Sequence, residues 1–163
     1  MNKKGLEASQ IFVYVVSIVV VGLVLLFGTR AIMSMQSDMC QVNYIQFKTE
    51  LHNTIDDVLS DYGSVKQIEL KMPCSYKKLC FADLNAPTVP QSVQQDQPLI
   101  ADAWSDKTAN VFLLETSIKE SFKEGKLQVD APDGYLCLER EGGMVRMRLE
   151  GLGRNVKVGR WNR

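Results

Sequence analysis

From Ile11 to Gly28 the chain holds about eighteen residues without a charge, which at the helical rise span roughly 27 Å, close to the hydrocarbon thickness of a bilayer. No side of this run is polar, so it lacks the wet face that a core helix of a soluble domain keeps. In lipid the backbone must satisfy its own hydrogen bonds, and for one segment a helix does so. Ile11, Phe12, Val16, Val20, Leu23 and Leu26 are its candidate lipid-facing residues. A removable secretory signal would have a shorter apolar region followed by a small-x-small site, and "FGTRAIMSM" supplies none that is convincing.

Beyond the run the pattern changes from uniform to periodic. Tyr44, Phe47, Leu51, Ile55, Val58, Leu59 and Tyr62 recur at three- and four-residue steps, while Lys48, Glu50, Asp56, Asp57 and Asp61 fall largely elsewhere. This is an amphipathic helix that needs a cover, with Gly63 as its terminator. A sheet is the expected cover, because strand-like segments follow at 65–72, 78–83, 110–115, 126–130, 135–140, 144–150 and 155–161. Alternation is clearest in "VRMRLEG", as in a sheet with one wet face. The "EGG" and "GLGRN" turns predict a three-stranded C-terminal meander. Ser117 and Glu120 form a capping-box pattern that predicts a short helix through Phe122 to Gly125. The stretch "NAPTVPQSVQQDQP" has no apolar period and reads as a surface loop.

The expected fold is α+β: an N-terminal transmembrane helix extended into an amphipathic helix packed on a mostly antiparallel β-sheet head domain. Its divisions are a short basic leader or cytoplasmic N-terminus at 1–5, the span at 6–30, the helical extension at 31–63, and the β-rich head at 64–163 with a loop at 85–98. Lys3 and Lys4 precede the span and Arg30 follows it, so the positive-inside rule places the N-terminus in the cytoplasm and the head outside.

Cysteine usage agrees with an external head. Four cysteines, Cys40, Cys74, Cys80 and Cys137, predict two disulfides with three connectivities open. Cys74 and Cys80 bracket "CSYKKLC" between two strand-like segments, which favours pairing them across a hairpin neck. Cys40 would then pair with Cys137, and the long closed loop would contribute roughly 4 to 5 kcal/mol in the chain-entropy model. The alternative is four buried free thiols in a cytosolic domain.

Charge and motifs narrow the function by exclusion. With 19 basic and 19 acidic residues the chain has no net charge, which offers no argument for nucleic acid. The C-terminus is locally basic (Arg140, Arg146, Arg148, Arg154, Lys157, Arg160, Arg163), whereas Asp38, Glu50, Asp56, Asp57 and Asp61 lie earlier, so the two regions could attract one another. Strand alternation would spread those arginines over a wet sheet face. Asp56 and Asp57, adjacent on a helix, cannot face one another as a catalytic pair. Gly151 and Gly153 lack the third glycine and following helix of a phosphate loop. A catalytic triad would have to use His52, the single histidine, and no serine sits in a nucleophile elbow. The cysteine spacing lacks paired CxxC knuckles for zinc. No enzyme activity, metal or cofactor is expected.

Lys3, Lys4 and Gly5 directly before an apolar helix resemble the short basic leader of archaeal class III signal peptides, found on type IV pilin-like proteins. The resemblance covers about the first thirty residues. It implies that a prepilin-type membrane peptidase cuts between Gly5 and Leu6, and that the freed helix self-associates with identical helices in a filament core while its extension carries a β-rich head. Many pilins have a glutamate five residues after the cut, where this chain has Gln10; Leu6 also departs from the glutamine or alanine common after archaeal leaders. Two readings follow: a pilin-like structural or surface subunit at the cell membrane, or an uncleaved single-span protein whose external head binds a partner or ligand. The lipid bilayer is a partner in both.

Overall fold

The computed structural model describes residues 3–161, with side chains described for 11–30 and 39–161. It comprises a long helix α1 (Lys3–Leu59), then β1 (Val65–Lys71), β2 (Lys78–Ala82), α2 (Gln91–Asp96), α3 (Pro98–Ser105), β3 (Val111–Leu114), β4 (Ile118–Phe122), β5 (Leu127–Val129), β6 (Tyr135–Glu139), β7 (Met144–Gly151) and β8 (Val156–Arg160). The chain divides into two units, Met1–Val42 and Asn43–Arg163. The fold is α+β, as expected.

Unit 1 is helix throughout its described residues. From Ile11 to Arg30 it is long and apolar enough to cross a membrane, and none of this segment is buried. Met39 and Val42, farther along, are also exposed.

Unit 2 contains two four-stranded sheets rather than one. The first runs β1-β7-β8-β5 and the second β4-β3-β2-β6. All pairings are antiparallel except β5 with β8. The C-terminal end of α1 contributes Phe47, Leu51, Ile55 and Val58 to the main core, at the helical spacing read from the sequence. They meet Leu70, Val145, Met147, Leu149, Val156 and Val158 of the first sheet and Leu79, Phe81, Val111, Leu113, Leu136 and Leu138 of the second. Tyr62 leaves the expected stripe: the helix ends at Leu59, and the ring is 80% exposed. Gly63, at φ +80, donates its N–H to the Gly151 carbonyl at 2.8 Å, turning the chain into β1.

Gly151 marks the closest approach of helix end and sheet. A Cβ there would collide with the main-chain oxygens of Val58 and Asp61, so only glycine lets β7 pass under the end of α1. In β7 buried and half-buried positions alternate without exception, which makes "VRMRLEG" the one-wet-face strand its pattern predicts.

Three expectations are corrected. Ile118–Phe122 is a strand, not a capped helix: it pairs with β3, and a bulge places Lys119 as the extra residue opposite the Leu113–Leu114 step. The bulge turns Ile118 toward one core and Phe122 toward the other, a separation that no straight helical face could provide. The proline- and glutamine-rich loop carries α2, and α3 follows with Pro98 at its first turn, where its missing N–H costs nothing. Val93, Ile100, Ala101 and Trp104 from these helices cover the second sheet's other face at Cys80, Ala82, Phe112 and Leu114. Burial on both faces explains why "VFLL" in β3 is apolar throughout.

The meander is the third. "EGG" is a tight turn, with Gly142 and Gly143 both at positive φ and Glu141 bridged to Met144. Past that bridge, however, β6 joins β2 in the second sheet while β7 joins β1 and β8 in the first. Only β7 and β8 form the hairpin expected at "GLGRN".

Candidate functional site

Five features are candidates, beginning with the apolar segment. Ile11, Phe12, Val16, Val20, Leu23 and Leu26 are all exposed along Ile11–Arg30. Transfer of such surface from water is favourable at about 25 cal/mol per Å², so a wholly exposed apolar helix requires an apolar surrounding. The side chains around the Gly5–Leu6 bond lie outside the described residues.

All four cysteines are disulfide-bonded, and none is free. Cys80 bonds Cys137, which overturns the expected pairing of Cys74 with Cys80 and of Cys40 with Cys137. The reason is topological. β1 pairs with β7 and β2 with β3 and β6, so the segments flanking "CSYKKLC" form no hairpin for Cys74 and Cys80 to close. Cys80 and Cys137 instead lie directly opposite on β2 and β6, with Cα atoms 4.0 Å apart. The closed loop has a sequence separation of 57, for which the chain-entropy model gives roughly 4 kcal/mol.

His52 enters an ionic cluster that its surroundings in the sequence did not announce. Its Nδ1 lies 3.2 Å from both carboxylate oxygens of Glu124, and its Nε2 lies 3.5 Å from Oδ2 of Asp56. Lys126 approaches the other Asp56 oxygen at 3.8 Å. Glu124 is buried, and its main chain is clamped by the Asn110 side chain, which donates to the Glu124 carbonyl at 2.7 Å and accepts from its N–H at 2.6 Å. An imidazole between carboxylates can relay a proton if a hydroxyl or thiol completes the line. Here Nε2 faces Asp56, and the cluster joins the helix to the β4–β5 turn. Among the described residues no group of three or more metal-ligating side chains converges.

Arg146 and Arg148 of the basic C-terminal region do alternate onto the outer face of the first sheet, but their partners are local. Arg146 pairs with Glu69 at 2.8 Å and Glu141 at 3.6 Å; Arg148 pairs with Glu150 at 2.7 Å and Asp130 at 3.9 Å. Lys157 meets Asp130 at 3.3 Å. The anticipated attraction to the helix acids is absent among the described ion pairs, and strand register sets carboxylates beside Arg146 and Arg148. Arg163 lies outside the described residues.

The fifth feature is a groove of about 730 Å³ beside β6, lined by Lys78, Cys137, Glu139, Arg146, Arg160 and Trp161 among others. Nearby, Tyr135 stacks on Trp104 at 6.1 Å, and burial pushes its hydroxyl from the ordinary 10.0 up to about 12. The sequence marks the arginines but not the groove, which exists because β6 and β7 part into different sheets.

No family model, curated protein or solved structure matches this chain.

Proposed function

We propose that this chain is a membrane-anchored extracytoplasmic protein, a pilin-like structural or surface subunit whose N-terminal helix associates laterally with copies of itself. The observation that carries the reading is the complete exposure of the apolar Ile11–Arg30 segment. Exposure continues at Met39 and Val42. From Ile11 to Val42 the helical rise covers roughly 47 Å, against about 30 Å of hydrocarbon. Lipid covers the first part, and the corresponding helix of a neighbouring copy covers the remainder. Lys3 and Lys4 hold the N-terminus in the cytoplasm, and four disulfide-bonded cysteines suit an oxidising exterior. No catalytic step is assigned to the head.

Cleavage between Gly5 and Leu6 by a prepilin-type peptidase would free the helix for assembly. Intact-mass measurement on protein from native membranes is expected to give a chain starting at Leu6, and a start at Met1 contradicts assembly by this route. Gln10, at the position where pilins often carry glutamate, favours a second reading: an uncleaved single-span anchor whose head binds a partner or ligand. Under that reading Gly5→Ala leaves the mass and membrane level of the chain unaltered apart from the substitution itself.

A further inference from the structure

The groove beside β6 has the construction of a strand acceptor. β6 is an edge strand, bonded only to β2. At the two ends of that ladder Arg140 N–H donates to the Lys77 carbonyl at 2.8 Å and Asp83 N–H to the Gly134 carbonyl at 2.8 Å. Antiparallel bonding repeats every second residue, so these two bonds fix the phase: Leu136 and Leu138 turn their main-chain groups toward β2, and Cys137 and Glu139 turn theirs outward. Opposite pairing of Cys80 with Cys137 at a Cα separation of 4.0 Å agrees, because non-hydrogen-bonded pairs are the close ones. The outward groups of Cys137 and Glu139 therefore face the groove that both residues line.

The far side of the groove carries Arg146, Arg160 and Trp161. Its charges are unequally satisfied. Lys78 pairs with Glu139 at 3.2 Å, and Arg146 with Glu69 and Glu141. Arg160 is exposed and has no carboxylate partner among the described residues. Main-chain donors and acceptors in a row, one uncompensated guanidinium and a half-buried indole form the recognition set for an extended peptide bearing carboxylates.

The geometry points to β6 accepting an acidic, extended peptide segment as a fifth strand of the second sheet, bonded to the main chain of Cys137 and Glu139, with a carboxylate on Arg160 and an apolar side chain on Trp161. The inference does not depend on whether Gly5–Leu6 is cut.

The test uses the full chain in detergent micelles and the blocked peptide Thr-Glu-Val-Glu-Val-Thr, with its lysine counterpart Thr-Lys-Val-Lys-Val-Thr as control. The acidic peptide is expected to slow amide exchange at Cys137 and Glu139 and to shift the emission of a Trp104→Phe variant, in which Trp161 is the remaining tryptophan. Arg160→Ala is expected to weaken binding about tenfold, the order of one charge-assisted hydrogen bond. Glu139→Pro removes one outward N–H at an edge, where proline is tolerated, and is expected to abolish protection of Cys137. Equal binding of the lysine peptide, binding insensitive to Arg160→Ala, or absence of protection at Cys137 and Glu139 overturns the proposal. So does dextran sulfate binding at Arg160 in place of the peptide, which would make the groove a polyanion site instead of a strand acceptor.

Discussion

One helix serves two environments, and its sequence distinguishes them. In Ile11–Arg30 apolar residues occupy every side and none is buried; in Asn43–Leu59 they form a stripe whose central members, Phe47, Leu51, Ile55 and Val58, are at most 1% exposed. The covering agents differ accordingly. A uniformly apolar surface suits a medium that surrounds it, whereas a stripe suits a partner on one side, here the two sheets. Helix length says nothing about this division; only the distribution of polar residues around the axis does.

The comparison can be broken most forcefully in the apolar Ile11–Arg30 segment. Val16→Arg together with Val20→Lys should cost about 5 to 7 kcal/mol of insertion free energy, at 2.5 to 3.5 kcal/mol per central charge, and release the chain from carbonate-washed membranes while the melting point of the head stays unchanged. Phe47→Ala should do the reverse, leaving membrane retention intact and destabilising the head by about 3 to 5 kcal/mol in denaturant titration. If either variant altered both properties, the two regions would not be independent.

Smaller effects sharpen the helix–sheet joint. Gly151→Ala sets a methyl against the main-chain oxygens of Val58 and Asp61 and should cost about 1 to 3 kcal/mol, read as a lower head melting point. His52→Ala leaves the buried Glu124 carboxylate without its imidazole partner, for an expected loss of about 1 to 3 kcal/mol that Glu124→Gln partly restores.

The smallest effect is alkaline. Burial favours the neutral phenol of Tyr135, raising its ionisation from 10.0 to about 12 in the folded state. The raised value means that the stabilisation is complete below pH 10 and lost as pH climbs from 10 toward 12. Tyr135→Phe should flatten the melting curve across that window. Tyr44 and Tyr76, raised by burial and then by Glu120, leave a residual slope.

Local patterns were legible where one physical cause dominated. The apolar helix follows from an unbroken run, the Phe47–Val58 stripe and the alternating β7 follow from periodicity, and seven of the strands lie where apolar and turn residues put them. Errors arose where a local signal competed with a distant one. Ser117 and Glu120 carry a capping pattern, yet pairing with β3 makes the segment a strand. The stretch ending at Pro98 reads as a loop for want of an apolar period, although proline is permissive at a helix start. The cysteine pairing failed for the same reason as the meander: nearness in sequence suggested hairpins, while the allocation of β6 to one sheet and β7 to the other is a non-local choice. That choice also opens the groove and aligns Cys80 with Cys137, so neither could be read before the topology was known. The Glu124 clamp gave a fainter signal, a lone acid beside Gly125 with no apolar period to explain it.

The central claim is that Ile11–Arg30 crosses a bilayer with the head outside the cell. Protease digestion of sealed, right-side-out membrane vesicles tests it directly, read with antibodies to the head and by mass spectrometry of the membrane-retained fragment. The head is expected to be degraded without detergent while a fragment containing Ile11–Arg30 survives. A head that is protected until the vesicles are permeabilised would contradict it.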